Sequence, residues 1–458
     1  MKTFTFLLIN VFLILSSLFS MADLRMQAIV GVIQIITNIY YVYKNAPVKL
    51  PIGLFFLALL YIFHSGYALE LLLTDNSLVT VAAQEISEST FAKAQLFTQI
   101  SIFFISIAYT KTIVKTSRFT KVDICNLSPT PFVLLFFITL PIYITATMMK
   151  LEAVSIGGYH ASWEIEDHPL FHYFSLFINL CVPLVTILCV FYKKNKKILT
   201  ILVLFVVLFG LYSMTSGHRI TAISQVITLT IVYYGSIGDL KKRSVIILLV
   251  AAVVTITILP MISEVRYFGS ANYENISEVY AQQSAAGSDN SLDASLKEYG
   301  YTVYSLVYPM EYAGSYYGYK LGLTYFVSPI ALSLKTPEFI AKADWYQNSR
   351  IFVYSFPKAL QKSLGGSCLG ELYSNFGWFG CVFTIFIGFL LRIIDNVLSS
   401  VKKTNRVSFG TILIILWIPI VIVWVRGYFY PFVSFSYLFV YVIWLFAQKK
   451  RKNAIALR

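Results

Sequence analysis

The sequence predicts an all-α protein that crosses a membrane many times. Of its 458 residues, 57% are apolar and only 13% are charged, which leaves too few polar side chains to coat a soluble globule of this size. The apolar residues also form runs close to the roughly 20 residues that a helix needs to cross a hydrocarbon core of about 30 Å. We therefore expect a polytopic membrane protein whose residues 1–458 form one integral membrane domain.

Twelve such runs predict about twelve transmembrane helices. They cover residues 3–21, 27–43, 51–73, 94–113, 129–149, 170–191, 198–215, 219–237, 244–262, 373–394, 408–426 and 430–447. The first run follows Lys2 and is followed by small residues near Ala22, so cleavage as a secretory signal is an alternative to a retained first helix.

The positions of the charges predict how these helices are oriented. With both termini inside, most of the 36 basic residues and only three of the 22 acidic residues fall on the inner side, as the positive-inside rule requires. The basic residues cluster in residues 44–49, 111–121, 193–197, 241–243, 392–406 and 449–458. We therefore place both termini in the cytoplasm. The net charge of +14 is mostly an orientation signal, so nucleic acid is not an expected partner.

One long polar segment, residues 263–372, is predicted as a large external loop between spans nine and ten. A capping box predicts a short helix over residues 275–287. Apolar residues at three- and four-residue spacing predict an amphipathic helix over residues 292–314, either on the membrane surface or over the helix bundle. The apolar run 321–334 is too short to span and contains Pro329, which favours a re-entrant or interfacial segment.

A second external connection, residues 150–172, is rich in acidic and histidine side chains. These are Glu152, His160, Glu164, Glu166, Asp167, His168 and His172. Such groups can hold a divalent metal, but their irregular spacing favours a solvated loop, so we expect no metal. In the third span, His64 is a lone histidine, for which a packing role is the commoner one.

Three arginines are predicted at the outer ends of different helices. Arg219 follows His218 at the start of span eight, Arg266 follows span nine and Arg426 ends span eleven. An arginine at membrane depth costs on the order of 2.5 kcal/mol or more. The planar guanidinium group of arginine suits a diphosphate. We therefore favour a shared diphosphate ligand for the three arginines together, although each could instead reach lipid headgroups.

The most specific local pattern is the glycine-rich element from Gly365 to Gly380. Gly365 and Gly366 precede a predicted helix start, and Glu371 follows about one turn later. A carboxylate there, against an apolar wall, could serve as a general base. It could also be a first-turn acid stabilised by the helix dipole.

Several of these residues resemble the motifs of one family. They are Ser216-Gly217-His218-Arg219, Glu264-Val265-Arg266-Tyr267, Gly366-Ser367 to Glu371, Tyr373 and Asn375-Phe376-Gly377. Together with the many-span layout, they resemble bacterial O-antigen polymerases of the Wzy type.

The resemblance implies a GT-C-like membrane glycosyltransferase of the bacterial inner membrane, with its active site on the periplasmic face. It implies that Glu371 is the catalytic base. Apart from the resemblance, one base and one displacement predict inversion of the anomeric centre, and the arginines can replace a metal, so we expect no cofactor. The substrate-binding residues that the resemblance implies are Arg219, Arg266, Arg426, His218, Tyr267, Tyr373 and Asn375. The implied substrates are undecaprenyl-diphosphate-linked oligosaccharides in the lipid bilayer, and a chain-length regulator is a possible partner.

Two other classes share parts of this pattern. An O-antigen ligase would be expected to carry a histidine base in the late external loop, but no histidine follows His218. A lipid-linked oligosaccharide flippase or other transporter would be expected to show internal repeats and charges midway along its spans. Neither feature is apparent in the sequence.

Overall fold

The computed structural model describes residues 3–73, 86–111, 128–165, 168–215, 219–244, 246, 296, 299–312, 318–326, 366–404 and 407–429. Within these ranges the chain is helical and contains no β-strand. The all-α class predicted from composition is therefore confirmed.

We number the principal helices of the described residues α1 to α12 in chain order. They are α1 Thr3–Phe19, α2 Leu24–Asn45, α3 Ile52–Leu73, α4 Glu88–Thr110, α5 Thr130–Glu164, α6 Pro169–Phe191, α7 Lys196–Thr215, α8 Arg219–Val232, α9 Tyr304–Tyr312, α10 Cys368–Phe376, α11 Gly380–Thr404 and α12 Phe409–Trp424. Helix α9 falls within the predicted external loop, and α10 and α11 share the predicted tenth run, so this set does not correspond one to one with the twelve predicted spans. A π-helical turn, Tyr233–Ile237, extends α8, and the 3-10 turns Tyr301–Val303 and Gly377–Phe379 precede α9 and α11.

Within the described residues, five helical stretches are long and apolar enough to cross a membrane. They are Leu24–Asn45, Ile52–Leu73, Glu88–Thr110, Thr130–Ile156 and Cys368–Thr404. Shorter apolar helices cover Thr3–Phe19, Phe177–Phe191, Ala222–Ile237 and Phe409–Trp424. This pattern is that of a polytopic membrane protein. Almost all of the predicted ninth span and all of the twelfth lie outside the described residues.

The first helix is joined to the bundle by buried amide groups. Asn10 of α1 is fully buried, and its side-chain oxygen accepts hydrogen bonds from Gln34 (3.2 Å) and Asn38 (2.8 Å) of α2. The ring of Phe6 stacks on Tyr41 with centroids 3.7 Å apart. Polar side chains hold neighbouring helices together where lipid offers no hydrogen bonds, so α1 is an integral part of this bundle.

Contacts between the helix ends define two ends of the bundle. At one of them, Lys402 near the end of α11 donates to the Gly238 carbonyl (2.6 Å) after α8, and Lys193 after α6 donates to Val401 (3.3 Å). Asp395 of α11 accepts from the Ile52 amide at the start of α3 (3.1 Å). We call this the basic end. The opposite end, where α10 meets α11, is called the site end.

The fifth helix differs from its prediction. It was expected over residues 129–149, but α5 continues to Glu164, so Glu152, His160 and Glu164 lie on a helix and not in the predicted connection. No group of three or more potential metal ligands occurs among the residues that the structure describes; Glu166 and Asp167 are outside them. Pro141 lies inside α5. Neither this proline nor the acidic residues after residue 149 end the helix.

Part of the predicted external loop is buried in the bundle. Residues 302–309 are all buried, whereas an amphipathic surface helix would expose one face. Gly66 of α3 lies directly against Gly300, and a Cβ on either glycine would overlap the other's backbone. The membrane-surface alternative for residues 292–314 is therefore wrong for this stretch, and packing against the bundle is found. The predicted helix over residues 275–287 lies outside the described residues.

Candidate functional site

Helix α10 carries the candidate base and has well-defined ends. Ser367 is its N-cap, and the Ser367 hydroxyl accepts a hydrogen bond from the Gly370 amide (3.1 Å), which satisfies one of the free donors of the first turn. The helix ends at Gly377, whose φ of 57° belongs to the left-handed region that favours glycine. A Cβ there would also lie 2.9 Å from the Tyr319 ring. The predicted helix start is confirmed, but the predicted span 373–394 begins five residues earlier and is broken at this glycine.

The Glu371 carboxylate is buried and held by two segments distant in sequence. Its side chain is 1% exposed. One oxygen, Oε2, accepts from the Phe429 amide at 2.9 Å, and the other, Oε1, lies 3.4 Å from the Thr324 hydroxyl. The first contact is a good hydrogen bond and the second is long, and the Trp424 side chain of α12 also interacts with the carboxylate.

Residues 318–326, which we call the covering segment, dock onto the end of α10. The amides of Lys320 and Leu321 donate to the Ser374 and Asn375 carbonyls (3.0 and 2.9 Å), which are among the carbonyls that a helix end leaves unpaired. The Asn375 side chain donates to the Thr324 hydroxyl (2.7 Å) and accepts from the Gly322 amide (2.9 Å). Both polar groups of the Asn375 side chain are thus engaged within the protein.

Aromatic rings surround this arrangement. Tyr373 packs with ring centroids 5.4 Å from Phe97, 6.1 Å from Tyr319 and 6.4 Å from Trp378. Tyr319 and Trp378 are 44% and 42% exposed, so this cluster opens to the surroundings.

Tyr325 also belongs to the covering segment, and its ring centroid lies 5.3 Å from that of Phe429. Its hydroxyl oxygen is buried without a hydrogen-bond partner among the described residues. Burial and the nearby Glu371 carboxylate raise the pKa of this hydroxyl well above its usual value.

Arg426 lies on the turn that reaches Glu371. Its guanidinium group is 5.7 Å from the centre of the Phe63 ring, a distance at which a cation is attracted to an aromatic face. Three residues later, Phe429 donates to Glu371, and between them Tyr428 packs against Gly366, just before α10. The structure therefore brings Arg426 and Glu371 to adjoining segments.

Arg219 also belongs to the site end. It begins α8, and the far end of that helix contacts Leu398 through Gly235, close to the basic end of α11. Nineteen helical residues, from Arg219 to Ile237, extend about 28 Å at 1.5 Å per residue. Since α8 packs along α12, its first residue comes to the end of the bundle where α12 finishes. The other predicted contacts His218, Arg266 and Tyr267 lie outside the described residues.

The comparison of the whole chain with known families decides its identity. The profile of the family described as O-antigen polysaccharide polymerase Wzy matches residues 2–452. The chain belongs to this family. No curated protein and no solved structure matches it. Wzy proteins polymerise O-antigen repeat units that are supplied as lipid-linked oligosaccharides in a membrane, so the match favours neither the ligase nor the flippase.

Several residues around Glu371 in this Wzy polymerase have no signal in the sequence. Thr324 and Phe429 contact the carboxylate from 47 and 58 residues away along the chain, and neither belongs to a motif. His64, which we expected to be a packing residue, contacts Ser367 at the start of α10. Its position within an apolar span was the only available hint.

Proposed function

We propose that this polymerase transfers a growing glycan from undecaprenyl diphosphate to the non-reducing end of one lipid-linked repeat unit and releases undecaprenyl diphosphate. The reaction takes place at the site end, which faces the periplasm in the bacterial inner membrane, with both termini in the cytoplasm. The overall architecture is GT-C-like. The observation that carries the proposal is a buried carboxylate, Glu371, on a helix whose neighbouring segment bears Arg426.

Glu371 acts as the general base. The acceptor hydroxyl attacks the anomeric carbon, its proton passes to Oε1, and the bond to the diphosphate oxygen breaks with its electron pair leaving on the diphosphate. The Phe429 amide keeps Oε2 in place, while the long contact of Oε1 with Thr324 is one that a sugar hydroxyl can replace. One displacement inverts the anomeric centre, as in single-displacement glycosidases. The covering segment has to move aside to admit the acceptor.

Arg219, Arg266 and Arg426 neutralise the diphosphate. Charge builds up on the leaving group in the transition state, so cations already in place there lower the barrier more than they strengthen substrate binding. Support comes from the location of Arg426 beside the Glu371 segment and of the Arg219 backbone at the same end. Three guanidinium groups can replace a divalent metal, so the reaction needs no cofactor.

The sugar is held by aromatic and polar side chains near α10. The exposed cluster at Tyr373 offers ring faces for the apolar side of a sugar, and the unpartnered Tyr325 hydroxyl offers a hydrogen bond. Asn375 contacts the acceptor only after the covering segment has moved, because both its polar groups now bind that segment. His218 and Tyr267 complete the contacts beside Arg219 and Arg266.

Purified protein in lipid discs, given undecaprenyl-diphosphate-linked repeat units and a chelator, tests this function. We expect a ladder of lipid-linked products, with one undecaprenyl diphosphate released for each new linkage. The proposed reaction would be wrong if no ladder formed with or without an added divalent metal, or if linkages formed without release of undecaprenyl diphosphate. The metal-free mechanism fails if the ladder forms only after Mg²⁺ or Mn²⁺ is added. A regulator of chain length would change the ladder's distribution and not its formation.

A further inference from the structure

We propose that His64 and Ser367 form a positioning pair that fixes helix α10, and with it the Glu371 carboxylate, in the orientation that catalysis needs. The inference rests on the proposed role of Glu371. It adds a residue from the third helix, more than 300 positions away, to the machinery of polymerisation.

The contact between the two side chains is short and directional. His64 is fully buried in α3; its Nε2 lies 2.5 Å from the Ser367 hydroxyl and its Nδ1 lies 2.9 Å from the Leu60 carbonyl. Because a carbonyl only accepts, Nδ1 carries the proton of the ring. The lone pair of a neutral ring is then left on Nε2, where it accepts the proton of Ser367.

Ser367 in turn determines how α10 begins. Its hydroxyl oxygen accepts from the Gly370 amide (3.1 Å), and its carbonyl accepts from the Glu371 amide (2.8 Å). The first hydrogen-bonded turn thus runs from Ser367 to Glu371. Fixing the Ser367 hydroxyl fixes the rotation of this turn, and so the direction in which the Glu371 side chain leaves the helix.

The anchor on α3 is itself rigid and touches the other proposed catalytic segment. Gln95 of α4 donates to the His64 carbonyl (2.6 Å), which joins α3 and α4 at this level. The preceding residue, Phe63, carries the Arg426 guanidinium over its ring. Two consecutive residues of α3 therefore contact the N-cap of the Glu371 helix and the proposed phosphate-binding arginine, and set their relative position.

Substitutions of His64 isolate this hydrogen bond, because all of them leave the N-cap bond between Ser367 and Gly370 in place. The side-chain oxygen of His64→Gln reaches the position of Nε2 and can still accept from Ser367. The shorter side chain of His64→Asn reaches only the position of Nδ1 and cannot accept from Ser367. His64→Phe fills the volume of the ring without offering any acceptor. For each variant and for wild type, steady-state rates are measured on undecaprenyl-diphosphate-linked repeat units. Rates are normalised to the amount of folded protein, judged by a monodisperse sample and a cooperative melting transition.

We expect His64→Asn and His64→Phe to lower kcat by about 10- to 10²-fold with KM unchanged, as for a displaced catalytic group. His64→Gln should retain most of the wild-type kcat. A wild-type kcat in His64→Asn would overturn the proposal, and so would a His64→Gln variant as slow as His64→Asn, because restoring the acceptor would then have no effect.

A double-mutant cycle tests whether the pair acts through Glu371. In a Glu371→Gln background, His64→Asn should cause no further loss, and an additive loss would refute a route through that carboxylate. If Glu371→Gln alone were fully active, the base assignment would fail. The comparison of His64→Gln with His64→Asn in the wild-type background would still report on the hydrogen bond separately.

Discussion

The side chains around Glu371 differ in whether their polar groups are already satisfied. Asn375 is fully engaged within the protein, whereas the buried Tyr325 hydroxyl has no partner among the described residues. A buried polar group without a partner costs about 1–3 kcal/mol. A binding site can bear that cost if the substrate supplies the missing hydrogen bond, so we propose Tyr325 as a sugar-binding residue.

Removing the Tyr325 hydroxyl should therefore affect activity and not stability. We expect Tyr325→Phe to lower kcat/KM by about 2- to 10-fold while thermal stability stays the same or rises. Tyr109→Phe is the matched control, because Tyr109 donates to Asp395 (2.6 Å) at the basic end; it should lose stability and keep its activity. A Tyr325→Phe variant that melts earlier and polymerises normally would place this hydroxyl in the scaffold.

The fork of Arg426 should matter more than its charge. Arg426→Lys keeps the charge but loses bidentate hydrogen bonds worth about 1.5–3 kcal/mol, so polymerisation should fall about 10- to 100-fold, and Arg426→Ala should be slower still. Arg392→Lys is the control, since Arg392 lies over the Tyr109 ring (5.4 Å) at the opposite end and should not affect activity. Normal glycan ladders from Arg426→Lys would favour an arginine that only reaches lipid headgroups.

At the scale of elements, α10 depends on close contact with its neighbours. Gly370 lies against the Ser305 carbonyl of α9, where a Cβ would overlap backbone, and backbone cannot move aside as a flexible side chain can. The helix is thus held by α9 on one face and by the covering segment at its end.

A methyl group at Gly370 should separate α9 from α10. Gly370→Ala is expected to cost about 1–3 kcal/mol of stability through overpacking and to reduce polymerisation with it. Gly235→Ala at the basic end is a milder control, because the nearest atoms to an added methyl group, Cβ and Cδ1 of Leu398, would lie 3.1 Å away and would not overlap it as the Ser305 backbone does at Gly370. Equal melting temperatures for Gly370→Ala and wild type would show that α9 and α10 are not packed this closely.

The helices of the bundle could largely be predicted from apolar runs, since a span must satisfy its own backbone hydrogen bonds and so follows composition. The start of α10 was also predictable, because Ser367 and the preceding glycines are local signals. The continuation of α5 to Glu164 was not, since helix ends in polar sequence depend on tertiary packing. Burial of residues 302–309 depends on the close approach of Gly66 and Gly300, which no local pattern encodes. The contacts of Thr324, Phe429 and His64 with α10 and its N-cap likewise join residues far apart in the chain.

For the molecule as a whole, the two ends of the bundle should lie on opposite sides of the membrane. Lysines cluster at the basic end, where Lys402 binds Asp239 (2.8 Å) and Lys193 reaches Val401, while Glu371 and Arg426 lie at the other. The positive-inside rule predicts that the basic end faces the cytoplasm.

Cysteine labelling tests this orientation. In intact cells with a permeabilised outer membrane, an impermeant thiol reagent should label Ser288→Cys but not Lys403→Cys. Four of the native cysteines, Cys181, Cys189, Cys368 and Cys381, are buried, which keeps their background low. Labelling of Lys403→Cys but not of Ser288→Cys would show that the orientation is the reverse, with Glu371 on the cytoplasmic side.

The polymerisation rate of Glu371→Gln, on a defined undecaprenyl-diphosphate-linked repeat unit, tests the central claim most directly. Glutamine keeps the shape of the side chain and can still accept from the Phe429 amide, but it cannot take a proton. We expect Glu371→Gln to be slower than wild type by about 10²- to 10⁴-fold, at normal protein level and unchanged melting temperature. The matched control is Glu88→Gln, which changes an exposed first-turn acid of α4. A full-length glycan ladder made by Glu371→Gln at the wild-type rate would contradict the account and leave this carboxylate as a structural link between α10, the covering segment and the Arg426 turn.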